Sequence, residues 1–122
     1  MPDAENILIS VQPRHVDSMV SGKKTVELRR RPLNVEAGCR VWIYCTLPRG
    51  AVEALGMVRA VVAATPSEIW RDHGQQSGIT KQEFEEYYAG ANTAYAIIFS
   101  SVEKLSLTFA LGEIRRHLRS FH

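Results

Sequence analysis

Apolar residues in this chain fall largely at every second position, in short runs closed by glycine or proline. Val26 and Leu28 alternate with Thr25, Glu27 and Arg29, and Val41, Ile43 and Cys45 alternate with Trp42 and Tyr44. A period of two belongs to strands, whose successive side chains point to opposite faces. Strands are expected on these grounds at residues 25–29 and 40–46; the short β-branched run at 7–11 reads as the first strand, and 52–63 as another, with a possible break near Gly56. An unbroken apolar run at 94–99 reads as a central strand, and 102–107 as an edge strand after a bend at two serines.

Helical signals are short and separate. Pro13 suits a first helical turn, Val16, Met19 and Val20 make one buried stripe, and Gly22 is the stop. Thr65, Pro66 and Glu68 mark a second start, with Ile69 and Trp70 behind it and Gly74 at its end. Thr80 and Glu83 repeat the capping-box spacing ahead of Phe84, Tyr87 and Tyr88, and Gly90 closes that helix. Many short strands without regular strand–helix alternation exclude a doubly wound nucleotide-binding sheet. The expected class is α+β, mainly β: a small curved sheet or barrel of about five or six strands with short flanking helices.

At 122 residues the chain fits one domain, residues 1–122 with a core at 7–107, and is long enough to support its own hydrophobic centre. An amphipathic helix is possible at 111–121, where Ile114 and Leu118 lie one turn apart among Arg115, Arg116 and Arg119. No apolar run approaches the roughly 20 residues a membrane span needs, and the opening MPDAENILIS lacks the basic-then-greasy pattern of a secretory signal. Cys39 and Cys45 lie six positions apart on one expected strand, about 20 Å if extended and too far for a disulfide. A cytoplasmic, monomeric protein with free thiols and no membrane contact is expected.

The net charge of +2 conceals a segregation. Between Arg14 and Arg31 six Lys/Arg face two acids, and from Leu111 onward three Arg face one Glu, while the remainder is acidic. Such segregation permits a focused positive field and an anionic partner. The cluster Lys23, Lys24, Thr25, Glu27 and Arg29 concentrates it at a helix-to-strand junction. Thr25 offers a hydroxyl, Glu27 an acceptor for a base amino group, and Arg29 a bidentate phosphate fork. Arg30 and Arg31 extend the patch for phosphate contacts. Trp42, Tyr44 and Trp70 are candidate stacking surfaces for single-stranded nucleic acid. The plain alternative is a solvated sheet face on which Glu27 and Arg29 pair for about 0–1 kcal/mol.

The common catalytic patterns are absent: no phosphate-binding glycine loop, paired-cysteine zinc motif, HExxH helix or nucleophile elbow occurs. His15, His73, His117 and His122 are scattered, so neither a metal nor a cofactor is expected.

The stretch ILISVQPRHVDSMVSGKKTVELRRR, residues 7–31, closely resembles the opening of ASCH domains, members of the PUA-like superfamily. Weaker likeness continues through VWIYCTLPRG, the strand around Gly56, the helix begun at Pro66, and EEYYAG…AYAIIF, covering roughly residues 7–105. The resemblance implies a small β-barrel with a cleft beside the early helix that takes RNA or a nucleotide. The family's GxKT-like signature falls on Gly22, Lys23, Lys24 and Thr25, with Glu27 and Arg29 as the following polar strand positions. Less directly, the loop 48–50 and residues 77–80 would supply the opposite wall.

Two enzyme classes also lie within that resemblance. Some relatives look like amidohydrolases of acylated cytidine that use a lysine, a threonine and a glutamate. Lys24 matches the lysine, but Glu27 stands at the threonine position and Gln75, Gln76, Ser77 and Gly78 offer no helper acid. If catalysis of this kind occurs, Lys24 and Glu27 would share the proton transfer. Other relatives look like ribonucleases. The leading expectation is a module that binds RNA or a nucleotide-like small molecule through Lys23, Lys24, Thr25, Glu27, Arg29, Arg30 and Arg31 in RNA metabolism or translation-linked regulation. The amidohydrolase and the ribonuclease are its alternatives.

Overall fold

The computed structural model describes residues 5–116. Among them five strands are present: β1 (Asn6–Val11), β2 (Val26–Arg29), β3 (Arg40–Cys45), β4 (Ala51–Ala64) and β5 (Ala94–Phe109). Four helices flank them: α1 (Pro13–Val20), α2 (Pro66–His73), α3 (Lys81–Tyr87) and α4 (Leu111–Arg115), with a single 3₁₀ turn at Gly74–Gln76. The strand order is β1-β3-β4-β5-β2. β1 runs parallel to β3, and every other pairing is antiparallel.

The sheet curls into an open half-barrel. This corrects the expectation of a closed barrel, and the reason is local. β1 and β2 are the two free edges; α1 is inserted between them in the chain, and β2 has only four residues before Pro32. A side chain spans the gap where a strand ladder would close it: Arg29 Nη2 donates to the Ser10 carbonyl at 3.0 Å.

The sixth strand is absorbed into β5. In its pairing with β4, Ser101 opposes Met57 and Phe99 opposes Val58, leaving Ser100 as an extra residue. Arg59 is the corresponding extra residue on β4. Such bulges bend strands and sharpen twist without ending the ladder, so β5 bends at the serines as expected but continues as one strand. β4 likewise passes through Gly56 uninterrupted. A Cβ there would lie 2.7 Å from the Phe99 ring, so the glycine makes room for an aromatic on the neighbouring strand.

Alternation sorts the side chains into distinct cores. Ile7, Ile9, Val41, Ile43, Ile97 and Phe99 face the inside of the curl, where α1 adds Val16 and Met19. Val26, Leu28, Ala96 and Ile98 face the other side, beneath Ile69 of α2 and Phe84 of α3. At the far end Leu8 and Val52 are covered by Ile114 of α4, with Trp42 and Tyr44 packed alongside. Each fully buried branched aliphatic in these layers contributes about 1.5–3 kcal/mol. Ile114 is thus covered within the chain, and the expected continuation to residue 121, with Leu118, lies outside the described residues. Among the described residues no helix is long and apolar enough to cross a membrane.

Candidate functional site

β2 is where the inner surface of the half-barrel changes character. Glu27 is the register partner of Ile97. The face that carries Ile97 into the apolar core therefore carries a carboxylate at the sheet edge. A cavity of about 580 Å³ opens there, bounded by the end of β1, the start of α1, β2 and one side of α3. Lys24, Glu27 and Arg29 all line it.

The backbone holds Lys24 in place from both sides. Its amide donates to Ser18 at the end of α1, the Thr25 amide donates to Gln76, and the Thr25 carbonyl accepts from Phe99 of β5. The Lys24 side chain is 3% exposed, and its Nζ donates to the Ser77 carbonyl at 2.5 Å and lies 3.5 Å from Glu27 Oε1. Its stem rests against Gly78, whose φ of +73° lets the chain pass close. Burial lowers the Lys24 pKa, reinforced by Arg14 and Arg29 and opposed by Glu27. Glu27 is clamped from its other oxygen by Arg29 Nη2 at 3.1 Å. Arg29 Nε is buried without a hydrogen-bond acceptor among the described residues.

α1 and α3 complete the site. His15, in the first turn of α1, is half-buried and its pKa falls to about 4; burial is the main cause, followed by the positive charges of Lys24 and Arg14. Its imidazole is neutral across the physiological range. Arg14 forms an ion pair with Glu83 of α3. That hydrogen bond and the Thr80 amide hold the Glu83 carboxyl down at about 2. Tyr87 lies along the wall, its hydroxyl donating to the Leu28 carbonyl at 3.4 Å; burial raises its pKa. Arg14, Lys24 and Arg29 are matched in the lining by Glu27, Glu83 and Glu86. The cleft presents directed donors and acceptors and no surplus of positive charge in its lining.

The remaining sequence candidates lie elsewhere. Lys23 is exposed and Thr25 half-buried, and neither lines the cavity. Arg30 and Arg31 line a separate groove with Asn92 and Thr93. Trp42 donates from Nε1 to Asn6 Oδ1 at 3.0 Å and packs with Tyr44 in the cluster beneath α4. Trp70 lies over Gly74 and against Phe84 at 5.0 Å, lining another recess between α2 and α3. Ser77 reaches the site through its carbonyl, whereas the loop at 48–50 does not: Arg49 ties it to Asp17 and Glu53. Ser10, Gln12, Arg14, His15, Glu83, Glu86 and Tyr87 also line the cavity and are not among the residues expected from sequence. The available signal was the position of Arg14 and His15 directly after Pro13, at the helix end nearest the strand edge. Among the described residues no three His, Cys, Asp or Glu side chains gather to hold a metal.

No family model matches the chain. It is 33% identical over 98 residues to the ASCH domain-containing ribonuclease of Zymomonas mobilis, spanning 80% of this chain and 66% of that protein. It is 29% identical over 102 residues to large ribosomal subunit protein uL22 of Ureaplasma parvum, covering 82% of this chain but 32% of that one. The crystal structure of ASCH from Zymomonas mobilis superposes with a TM-score of 0.80 at 30% identity, over 89% of this chain and 76% of that one. A serine-to-alanine variant of the same protein gives 0.85 at 28% identity, over 95% and 81% of the two chains. The architecture is that of a PUA-like half-barrel with a polar cleft at its open edge. The chain belongs to the ASCH domain family.

Proposed function

We propose that this chain cleaves single-stranded RNA in the cleft between β1, β2 and α3, by transfer of a phosphodiester to the neighbouring 2′-hydroxyl. The observation that carries the reading is a neutral imidazole, His15, and a desolvated ammonium, Lys24, in one cavity. Kinship to an ASCH domain-containing ribonuclease supports it over a module that only binds. The amidohydrolase alternative is less well supported, because Glu27 at the threonine position is already engaged by Lys24 and Arg29.

In this reaction His15 takes the 2′-hydroxyl proton as O2′ attacks phosphorus. The bond from phosphorus to O5′ breaks, and Lys24, made more acidic by burial, gives its proton to the departing oxygen. The products are a 2′,3′-cyclic phosphate and a 5′-hydroxyl, and solvent restores both side chains. Arg29, whose guanidinium lines the cavity, stabilises the non-bridging oxygens. Glu27 holds Lys24 and Arg29 in register. The substrate class is single-stranded RNA, met by a monomer in the cytoplasm, where Cys39 and Cys45, buried and unpaired, stay reduced.

The test is product analysis on a mixed-sequence single-stranded RNA. Cyclic phosphate ends, loss of cutting when the scissile ribose is 2′-deoxy, and loss in Lys24→Ala are expected. Cutting of 2′-deoxy substrate, or 5′-phosphate ends, would overturn the mechanism.

A further inference from the structure

The balanced charge of the cleft raises the question of what grips the rest of a polyanionic strand. Arg30 and Arg31 follow Arg29 directly in the chain, and both are exposed. They line a groove of about 580 Å³ with Ala91, Asn92 and Thr93, and among the described residues no carboxylate lines it. Arg30 leans over the end of α3, its Nη2 donating to the Ala89 carbonyl at 3.4 Å. Ala91 is also part of the wall of the next recess, about 490 Å³, where the half-buried Trp70 lies over the buried Phe84 and Tyr88, and Arg71, Lys81 and Glu85 share the lining. Arg71 is partly engaged by Asp72 at 2.9 Å, whereas Lys81 makes no ion pair among the described residues.

From these placements we infer that a second subsite lies outside the cleft: Arg30 and Arg31 bind the phosphate of a neighbouring nucleotide, and its base enters the aromatic recess between α2 and α3. The inference rests on the RNA reading and extends it, making the preferred ligand an oligonucleotide and not a free nucleotide. The strand leaves the cleft over Arg29, crosses the end of α3, and turns its base toward Trp70. Phosphate there meets the guanidinium forks of Arg30 and Arg31. A base in the recess gains sequence-tolerant stacking. The groove's cations supply the salt-dependent affinity that the charge-matched cleft lacks.

Fluorescence anisotropy with uncleavable 2′-O-methyl oligonucleotides of one to six residues tests this without depending on catalysis. Affinity should rise about tenfold between two and four residues and carry a steeper salt dependence. The rise should vanish in Arg30→Glu/Arg31→Glu, whose melting temperature is measured alongside. It should also vanish with wild-type protein and a tetranucleotide whose outer phosphate is a neutral methylphosphonate, and shrink when the outer base is abasic. A smooth curve with no step in the wild type, or a step that survives the methylphosphonate, would overturn the subsite. Cleavage by the wild type together with no length step would leave the RNA reading standing and remove only this inference.

Discussion

Lys24 donates from Nζ to the carbonyl oxygen of Ser77 at 2.5 Å, joining the junction after α1 to the turn before α3 across 53 positions of sequence. The bond satisfies a buried carbonyl and fixes the ammonium against the cleft, so fold and the proposed chemistry share it. Lys24→Met keeps the length of the stem and removes the donor. It should cost about 1–3 kcal/mol of stability through the unsatisfied carbonyl and about 10²–10⁴-fold in RNA cleavage. Urea unfolding and initial rates measure the two effects. Unchanged cleavage in a folded variant would remove Lys24 from the mechanism.

Gly78 and Gly90 separate strain from positioning. Both have positive φ, +73° and +79°, so alanine at either is strained by roughly 1–2 kcal/mol. A Cβ at Gly78 would lie 3.1 Å from Lys24 Cβ and 3.3 Å from its Cγ, whereas one at Gly90 meets nothing within 4 Å. Gly78→Ala and Gly90→Ala should lose similar stability, while only the first loses cleavage, by at least about tenfold. Equal activity in the two variants would show that the Lys24 stem has slack.

The acid limb of kcat/KM should fall near pH 4, where His15 gains its proton, and the alkaline limb below the ordinary lysine value of 10.5. Stability follows the same groups. The His15 pKa is lower folded than its ordinary 6.5, so the unfolded chain binds that proton more readily. The stability is complete above about pH 6.5 and declines as pH falls toward 4. Glu83, held at about 2 against an ordinary 4.5, adds stability present above 4.5 and lost as pH falls through about 2. His15→Gln should flatten the melting-temperature profile between pH 7 and 4 and leave the loss at lower pH. A parallel profile would show that His15 is not held neutral by the fold.

The fold was more legible in the chain than the site, for identifiable reasons. Proline at the helix starts, the capping box at Thr80, the β-branched run at Ile7 and the period of two around Val41 are local signals, and they mark β1, β3 and all of α1–α3. Closure of the sheet is not local. It depends on whether the β1 and β2 edges meet, which α1 and the shortness of β2 prevent. Gly56 resembles a strand breaker until Phe99, 43 positions away, is seen to occupy the space of its missing side chain. In the site, Lys24, Glu27 and Arg29 stand close together in sequence, and the strand period brings the last two to one face. His15 and Glu83 stand far from these three in sequence. Only the docking of α1 and α3 around β2 brings them to the cavity.

Glu83 offers the sharpest test of that docking, because its carboxylate has two partners on different elements. It accepts from the Thr80 amide in the capping box of α3, and it pairs with Arg14 of α1. Glu83→Gln retains an acceptor for the cap but no charge for Arg14, while Thr80→Ala removes the hydroxyl cap and should cost about 1 kcal/mol. The negative charge of Glu83 raises the His15 pKa against burial and two cations. Its neutralisation therefore leaves His15 harder to protonate, and the acid limb of kcat/KM in Glu83→Gln should move below pH 4. Thr80→Ala, which keeps the carboxylate, should melt earlier with that limb in place. A limb that moves upward in Glu83→Gln would mean that Arg14, once released, swings away from His15 and that its charge outweighs that of Glu83.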